Sequence, residues 1–404
     1  MSLLHLHPDE PPARRVERHA LVRAHNQTVV LDTFLRGVAL SRVDVAEATG
    51  LSRPTVNVIV DQLERLGLLI RIGSRTGSVG RSAAVYRVNR LAGVVAAIVI
   101  SEQQIRASLS DLDGVVVAQR EIAKPGRGQL LRSVAELVIG LEVEIGVAPQ
   151  SVRATIVSSP GAQDPVTGRL SLTENVPELS GVRLAAELSD LLGHEVVADM
   201  DVYLAAVGEH RFGCAQEADT LGLLWVSGGI GFGMLVDGTP VRGAHGSAGE
   251  VGYLPLGNDP FASRSRRRGS LEEAAAAAGI RAATRRLRDH YPTRLNLRPS
   301  AADVLNAAGE GDPLACAVVD EEAKLLAMTI FSICVTLDPA AIVLGGDLGS
   351  HPVLRAPIER YLNELSPFPI DLRSSALGNE AVLLGAQAVG HDLLINRLLT
   401  SVAV

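Results

Sequence analysis

Residues 41–69 read SRVDVAEATGLSRPTVNVIVDQLERLGLL, and this stretch decides how the amino-terminal part of the chain folds. Ser41 and Asp44 form an S-x-x-D pair, a serine that caps a helix and an acid that favours its positive end. Val45, Ala46 and Ala48 give this helix a small apolar side before Gly50 ends it. Ser52 caps a second helix, whose first turn tolerates Pro54 because no backbone donor is needed there. Val56, Ile59, Val60, Leu63 and Leu66 recur at helical spacing as one buried face. Two short helices joined by a glycine turn predict a helix-turn-helix, whose second helix suits the DNA major groove. Arg53, Thr55 and Asn57 at its exposed start are side chains suited to base edges and phosphates. The alternative is an ordinary helical hairpin inside an enzyme core.

Residues 1–15 combine Pro and charge without periodicity and are expected to be disordered. A helix is predicted from about Val16 to Leu35, with Leu21, Val29, Leu31 and Phe34 on its apolar side. Downstream, Leu69–Ile72 and Ala84–Val88 predict two strands around the loop GSRTGSVGRSA, the pattern of a wing. Arg75 and Arg81 stand among its glycines, where a guanidinium can reach a minor groove or phosphates. A flexible hairpin tip with solvated charges is the plainer alternative. Residues 16–89 thus form a candidate winged helix-turn-helix domain.

Charge supports the division. Residues 1–90 hold thirteen Arg, no Lys and eight acids, so that segment stands at +5 and the remainder at −12 of the overall −7. A basic head on an acidic body fits local contact with double-stranded DNA, not general polyanion binding. No apolar run reaches the roughly 20 residues that span a bilayer, and the first residues lack a signal-peptide core. Cys214, Cys316 and Cys334 have no metal spacing and are expected as buried thiols in a reducing cytoplasm.

Beyond Asn89 the pattern becomes α/β. Strands are predicted at Val94–Ile100, Ile105–Leu109, Val115–Val117, Ala154–Val157, Glu195–Val197, Leu221–Val226, Met234–Val236 and Ala341–Leu344. Helices are predicted around Leu130–Ile145, Val182–Leu192, Val202–Phe212, Leu271–Leu287, Ala301–Ala308 and Pro313–Leu337. Strands alternating with helices, with glycine-rich turns at strand ends, place clefts at those turns.

The body resembles the ROK proteins, which comprise sugar kinases and sugar-responsive repressors. The segments that carry the likeness are SDLDG (110–114), SPG (159–161), AAVGE (205–209), SGGIGFG (227–233), RGAHGSAGEVGY (242–253), LDPAAIVLGGDLG (337–349) and LLGAQAVG (383–390). The resemblance implies a two-lobed actin/hexokinase-like body, with lobes at about 90–200 and 201–404 and a carboxy-terminal helix returning to the first lobe. With the amino-terminal head it implies the repressor branch: a homodimer or homotetramer on a palindromic operator of carbohydrate-related genes, with a sugar or sugar derivative as effector.

Three of its features are altered. Family kinases end their first strand in an Asp and a GGT turn; here those positions are Val99 and Ser101-Glu102-Gln103, so ATP use and enzymatic phosphoryl transfer are not expected. The sugar-binding positions hold Met200, Asp201, Glu250, Tyr253 and Glu272; the three carboxylates keep their hydroxyl-accepting capacity and Tyr253 can stack or hydrogen-bond. The zinc positions hold Tyr253, Ser263, Ser265 and Ser270, poor donors for a tetrahedral site, so no zinc is expected. Arg264, Arg266, Arg267 and Arg268 are left on a predicted exposed loop. A sugar kinase with a regulatory head, and a ligand-independent regulator with a relic pocket, remain as alternatives.

Overall fold

The computed structural model describes residues 12–35, 37–76, 82–126, 128–147 and 151–403. The head opens with α1 (Pro12–Leu35), four residues before the predicted start. Strand β1 (Leu40–Ser41), α2 (Arg42–Thr49) and α3 (Arg53–Arg65) follow. Then come β2 (Leu69–Thr76) and β3 (Ser82–Val88), in an antiparallel sheet of order β1-β3-β2. Both predicted caps are present. Ser41 Oγ accepts the Asp44 N–H while the Asp44 carboxylate accepts the Ser41 N–H at 2.8 Å, and Ser52 Oγ accepts the Thr55 N–H. Gly50 ends α2 in the left-handed conformation (φ 70°), which glycine adopts without steric cost. Val56, Ile59, Val60 and Leu63 pack with Val30, Leu31 and Phe34 of α1. Leu66, expected on this face, is exposed as the C-cap. Arg42 pairs with Asp61, donates to the Tyr86 hydroxyl at 2.9 Å and lies over its ring, so one guanidinium joins α2, α3 and β3.

The body holds two five-stranded sheets of one topology. The first contains β4 (Val94–Ile100), β5 (Gln104–Ser110), β6 (Val116–Ala123), β7 (Val152–Ser159) and β10 (Val196–Met200), ordered β10-β7-β4-β5-β6. Here α4 (Leu130–Glu144) and α5 (Leu184–Leu192) intervene, with the small pair β8 (Ala162–Gln163) and β9 (Leu170–Ser171). Next α6 (Asp201–Phe212) leads to β11 (Thr220–Val226), β12 (Ile230–Val236) and β13 (Thr239–Pro240). Helices α7 (Ser263–Arg268), α8 (Ser270–Ala274), α9 (Ala276–Leu287), α10 (Ala301–Gly309) and α11 (Pro313–Leu337) precede β14 (Ala341–Gly345). The chain closes with α12 (Pro352–Leu365), β15 (Leu372–Ser374) and α13 (Ala381–Ala403), the second sheet being ordered β13-β12-β11-β14-β15. In each sheet the first strand is central, with an antiparallel pair on one side and parallel strands on the other.

Alternation explains the unbroken apolar strands. Ala96, Ile98 and Ile100 face one core with α4 and α5, while Ala97 and Val99 face a second core shared between the lobes. Likewise Leu221 and Leu223 join the shared core, and Leu224 and Val226 the outer core of the second lobe. A strand covered on both faces loses the polar half of its period. The shared core is built on α6 and α13.

Several expectations are corrected. The stretch predicted as one helix over 271–287 is broken at Ala275, which is extended, and Ala276, at φ 53°. Arg264, Arg266, Arg267 and Arg268 lie on α7, not on a loop, because Ser265 turns inward and Glu273 gathers Arg264 and Arg268. Of the cysteines only Cys334 is buried; Cys214 is half-buried and Cys316 faces solvent on α11.

Where α6 and α13 cross, a Cβ on Gly385 would lie 1.7 Å from the Leu204 carbonyl oxygen and one on Gly208 2.2 Å from that of Ala381. Gly385→Ala is therefore expected to destabilise the body by on the order of 3 kcal/mol, read from denaturant unfolding, because the obstacle is backbone.

Candidate functional site

Two regions carry candidate chemistry. On the head, Arg53 and Asn57 are exposed on one side of α3 and Thr55 is half-buried, its hydroxyl 2.8 Å from that of Ser52. Ser41 is buried, its oxygen committed to the cap, so it belongs to the scaffold and offers nothing to an outside ligand. Ser52 is exposed but also occupied as a cap. Arg75 is exposed on β2 and leans 3.6 Å from Asp44 of α2. Arg81 lies outside the described residues. Sequence reasoning missed Val58, which is 57% exposed, one residue beyond Asn57. Its place outside the 56-59-60-63 apolar period was the available signal. An apolar side chain on the exposed face of such a helix matches one major-groove feature, the thymine methyl.

The second region is a cleft of about 570 Å³ between the two sheets. It brings together Asp201, Glu250, Tyr253 and Glu272, and adds Glu174 and Asn175 from the segment after β9, which sequence reasoning had not selected. Asp201 is the first residue of α6, and its carboxylate accepts the Val202 N–H at 2.7 Å. Glu250 precedes a single 3-10 turn, and Glu272 on α8 accepts the Ile230 N–H at 3.3 Å. Met200, buried against Tyr203 and Val202, supplies shape only.

The cleft is electrostatically unsettled. Burial pushes the Asp201 carboxyl up to about 6, against the pull of backbone N–H groups. Burial, then the charges of Asp201, Glu272 and Glu174, raise Glu250 to about 7. Burial also raises Glu272 to about 7, opposed by the Ile230 N–H and Arg268. The Tyr253 phenol is pushed to about 12 by burial and the neighbouring carboxylates. Such groups gain from a ligand that donates hydroxyl hydrogens and replaces the lost water.

Two of the positions where the resemblance implies zinc are tied by hydrogen bonds. Tyr253 Oη donates to the Arg267 carbonyl at 2.8 Å, and Ser270 Oγ donates to the carbonyls of Leu256 and Asn258. Ser265 is buried, and serine hydroxyls engaged with carbonyls do not fit a zinc donor set. In the other half of the cleft, Ser101, Glu102 and Gln103 form the β4–β5 turn, closed by Ser101 Oγ donating to the Gln104 carbonyl at 3.0 Å. Arg106 pairs there with Glu380 and donates to the Asn379 carbonyl.

Two like-ordered sheets around a cleft, with helices crossing between them, define the actin/hexokinase-like class of α/β proteins. The ROK family model matches residues 95–392, and the chain belongs to the ROK family. It is 26% identical to the putative xylose repressor of Caldicellulosiruptor sp. (strain Rt8B.4), over 92% of this chain and 96% of that one. It is 25% identical to the DNA-binding transcriptional dual regulator NagC of Escherichia coli (strain K12), over 94% and 96%. Among solved structures, a ROK family transcriptional regulator described as a homolog of the E. coli MLC protein shares the fold (TM-score 0.73, 23% identity, 95% of this chain and 99% of that one). The ROK hexokinase of Thermus thermophilus covers 75% of this chain and 99% of its own (TM-score 0.62, 26% identity).

The raised carboxyls set a pH dependence. Asp201, Glu250 and Glu272 titrate above their unfolded values, so their contribution to stability is fully present below about pH 4 and is lost as pH rises through about 6 to 7. The thermal midpoint of the ligand-free protein should fall across that window from these groups, and Glu250→Gln should flatten the fall. A pH profile unchanged by Glu250→Gln would remove mutual repulsion from the account. Incubation with EDTA should leave the midpoint unmoved.

Proposed function

We propose that the chain is a sugar-responsive transcriptional repressor, in which residues 16–89 form a winged helix-turn-helix that binds operator DNA and the interlobe cleft of residues 90–404 binds the effector. The relatives named as repressors support this, because matches over 92–94% of the chain must include most of the head. The observation that carries the reading is the path of α13. Asn379 and Glu380 just before it and Val382 in its first turn line the cleft, while Leu394 and Leu398 near its end sit in the hydrophobic core of the head with Val30, Leu31 and Phe34. At 1.5 Å per residue, one helix spans the roughly 24 Å between Val382 and Leu398. Arg90, at the junction, pairs with Asp111 and Asp113, and the neighbouring Leu112 carbonyl meets His391 of α13 at 2.7 Å. A change of cleft geometry is thereby delivered to the heads.

In this reading a homodimer or homotetramer sets two α3 helices into successive major grooves of a palindromic operator, roughly 34–36 Å apart. Arg53, Thr55, Asn57 and Val58 face base edges, and Arg75 and Arg81 of the wing face the backbone or minor groove. Asp201, Glu250 and Glu272 accept hydroxyls of an unphosphorylated sugar, with Tyr253 at the rim. Carboxylates outnumber arginines in the cleft and both arginines are paired to acids, which disfavours a phosphate. The β4–β5 turn offers no phosphate cradle, so the protein works without ATP, zinc or phosphoryl transfer. No helix of the described residues is long and apolar enough to cross a membrane, and we place the protein in the cytoplasm, at the nucleoid when bound to DNA.

Selection of bound fragments from genomic DNA should return one palindromic site; sequence-independent binding alone would sink the proposal. On that site Arg53→Ala or Asn57→Ala should weaken binding by about 1–3 kcal/mol and relax specificity, whereas Arg81→Ala should lower affinity and the salt slope. Replacing single thymines by uracil should reduce wild-type affinity at one position per half-site and leave Val58→Ala indifferent there. In a thermal-shift panel of xylose, N-acetylglucosamine and glucose, a true effector raises the midpoint by mass action, and Asp201→Asn should abolish the rise. ATP-dependent phosphorylation of any of these sugars would establish a kinase instead.

A further inference from the structure

We infer that Glu322, buried in the outer core of the second lobe and outside the cleft, is a positioning residue for the effector site, because its carboxyl group fixes the break between α8 and α9 that aims Glu272 at the ligand. The inference rests on the cleft being the effector site.

The break is a strained point of this lobe. Residues 273–278, EAAAAA, are strong helix formers, yet Ala275 is extended and Ala276 takes φ 53°, a conformation that side chains other than glycine's rarely adopt. A break also strands the first N–H groups of α9. Two of them have partners drawn from elsewhere in the lobe. The Ala276 N–H donates to Glu322 Oε1 at 3.1 Å, and the Ala277 N–H donates to the Ser227 carbonyl at 3.1 Å.

Glu322 sits on α11, 3% exposed, in the core that contains Leu271, Ala275, Ala276, Val318, Val319 and Leu326. Burial pushes its carboxyl up to about 8. An ionisable group held at such cost in an apolar core has a task, and its hydrogen bond names that task. The connection then returns to the cleft. Ser227 opens the glycine turn that runs to Ile230, whose N–H binds Glu272, and a Cβ on Gly229 would lie 2.8 Å from Glu272 Oε2. The break, the turn and Glu272 are one closed loop of contacts, with Glu322 holding it from behind.

The test uses the full-length protein, titrated calorimetrically with whichever of xylose, N-acetylglucosamine and glucose stabilises the wild type most. Operator affinity without sugar is measured in parallel. Glu322→Leu removes the acceptor while keeping an apolar core, and should lower sugar affinity by about tenfold or more with operator affinity intact. Glu322→Gln, whose amide oxygen still accepts, should remain within about threefold of wild type. If Glu322→Leu does not fold, Ala276→Gly in the Glu322→Gln background serves: glycine takes the positive φ freely, so sugar affinity should hold or rise. A Glu322→Leu protein that binds sugar like the wild type, or a tenfold loss in Glu322→Gln, overturns the inference alone. A wild type that binds none of the three sugars while binding its operator overturns the effector reading beneath it.

Discussion

The structure depends on the crossing of α6 and α13. Gly208 and Gly385 let the two backbones approach until no Cβ fits, and Gly390 lets α13 close on Val95 and Ile156 of the first sheet. Glu209 locks the arrangement. Fully buried, its carboxylate accepts the Cys214, Ala376 and Leu377 N–H groups and the Ser375 hydroxyl, tying the end of α6 to the segment that launches α13. Four donors satisfy the oxygens of this buried carboxylate, so its burial leaves no polar atom without a partner. The glycines of the AAVGE and LLGAQAVG motifs and the glutamate of the first are thus explained by geometry between helices, without a ligand. Each lobe hangs on this joint, and so does the cleft between them.

The same joint makes α13 a shared part. Its first turns border the cleft, its middle packs on β4 and β7, and its last turns enter the core of the head. Packed interfaces of this kind move as units, because interiors at crystal-like density do not deform gradually. Arg397 adds a polar clamp, donating to the Arg153 carbonyl and pairing with Glu195. A head attached through such a helix has no independent orientation, in contrast to one on a flexible linker.

Much of this was legible in the sequence where local chemistry decides. The caps at Ser41 and Ser52, the Gly50 stop and the 56-59-60-63 face of α3 follow from capping and periodicity. So do the runs that became β4, β11 and β14. What escaped was imposed by distant residues. The 271–287 stretch has the composition of one uninterrupted helix, and only Glu322 and Ser227, 46 and 50 positions away from their partners, show why it breaks. Arg42 carries no signal in its neighbours, because its partners Asp61 and Tyr86 meet it only in the folded head. Asp201, Glu250, Tyr253 and Glu272 were found through a family likeness. Glu174 and Asn175 lay in a loop with no periodicity to mark them.

Energetically, the cleft and the crossing complement each other. Asp201, Glu250 and Glu272 are desolvated in the cleft beside the exposed Glu174, and Glu250 is raised by burial first and then by the charges of the other three. Only Glu174 stands in the first lobe, so repulsion across the cleft is that between it and the three carboxylates of the second. A sugar that donates hydroxyls to these groups removes part of the penalty, and does so most fully when the lobes approach it from both sides. In the proposed reading the effector has a differential affinity for closed and open clefts, the one property that lets a ligand move a conformational equilibrium. By linkage, whatever closure does to the heads, DNA does in reverse to the cleft, with a coupling that typically amounts to about 1–3 kcal/mol. A rigid joint and an electrostatically strained cleft are both needed: the first alone transmits nothing, and the second alone is felt nowhere else.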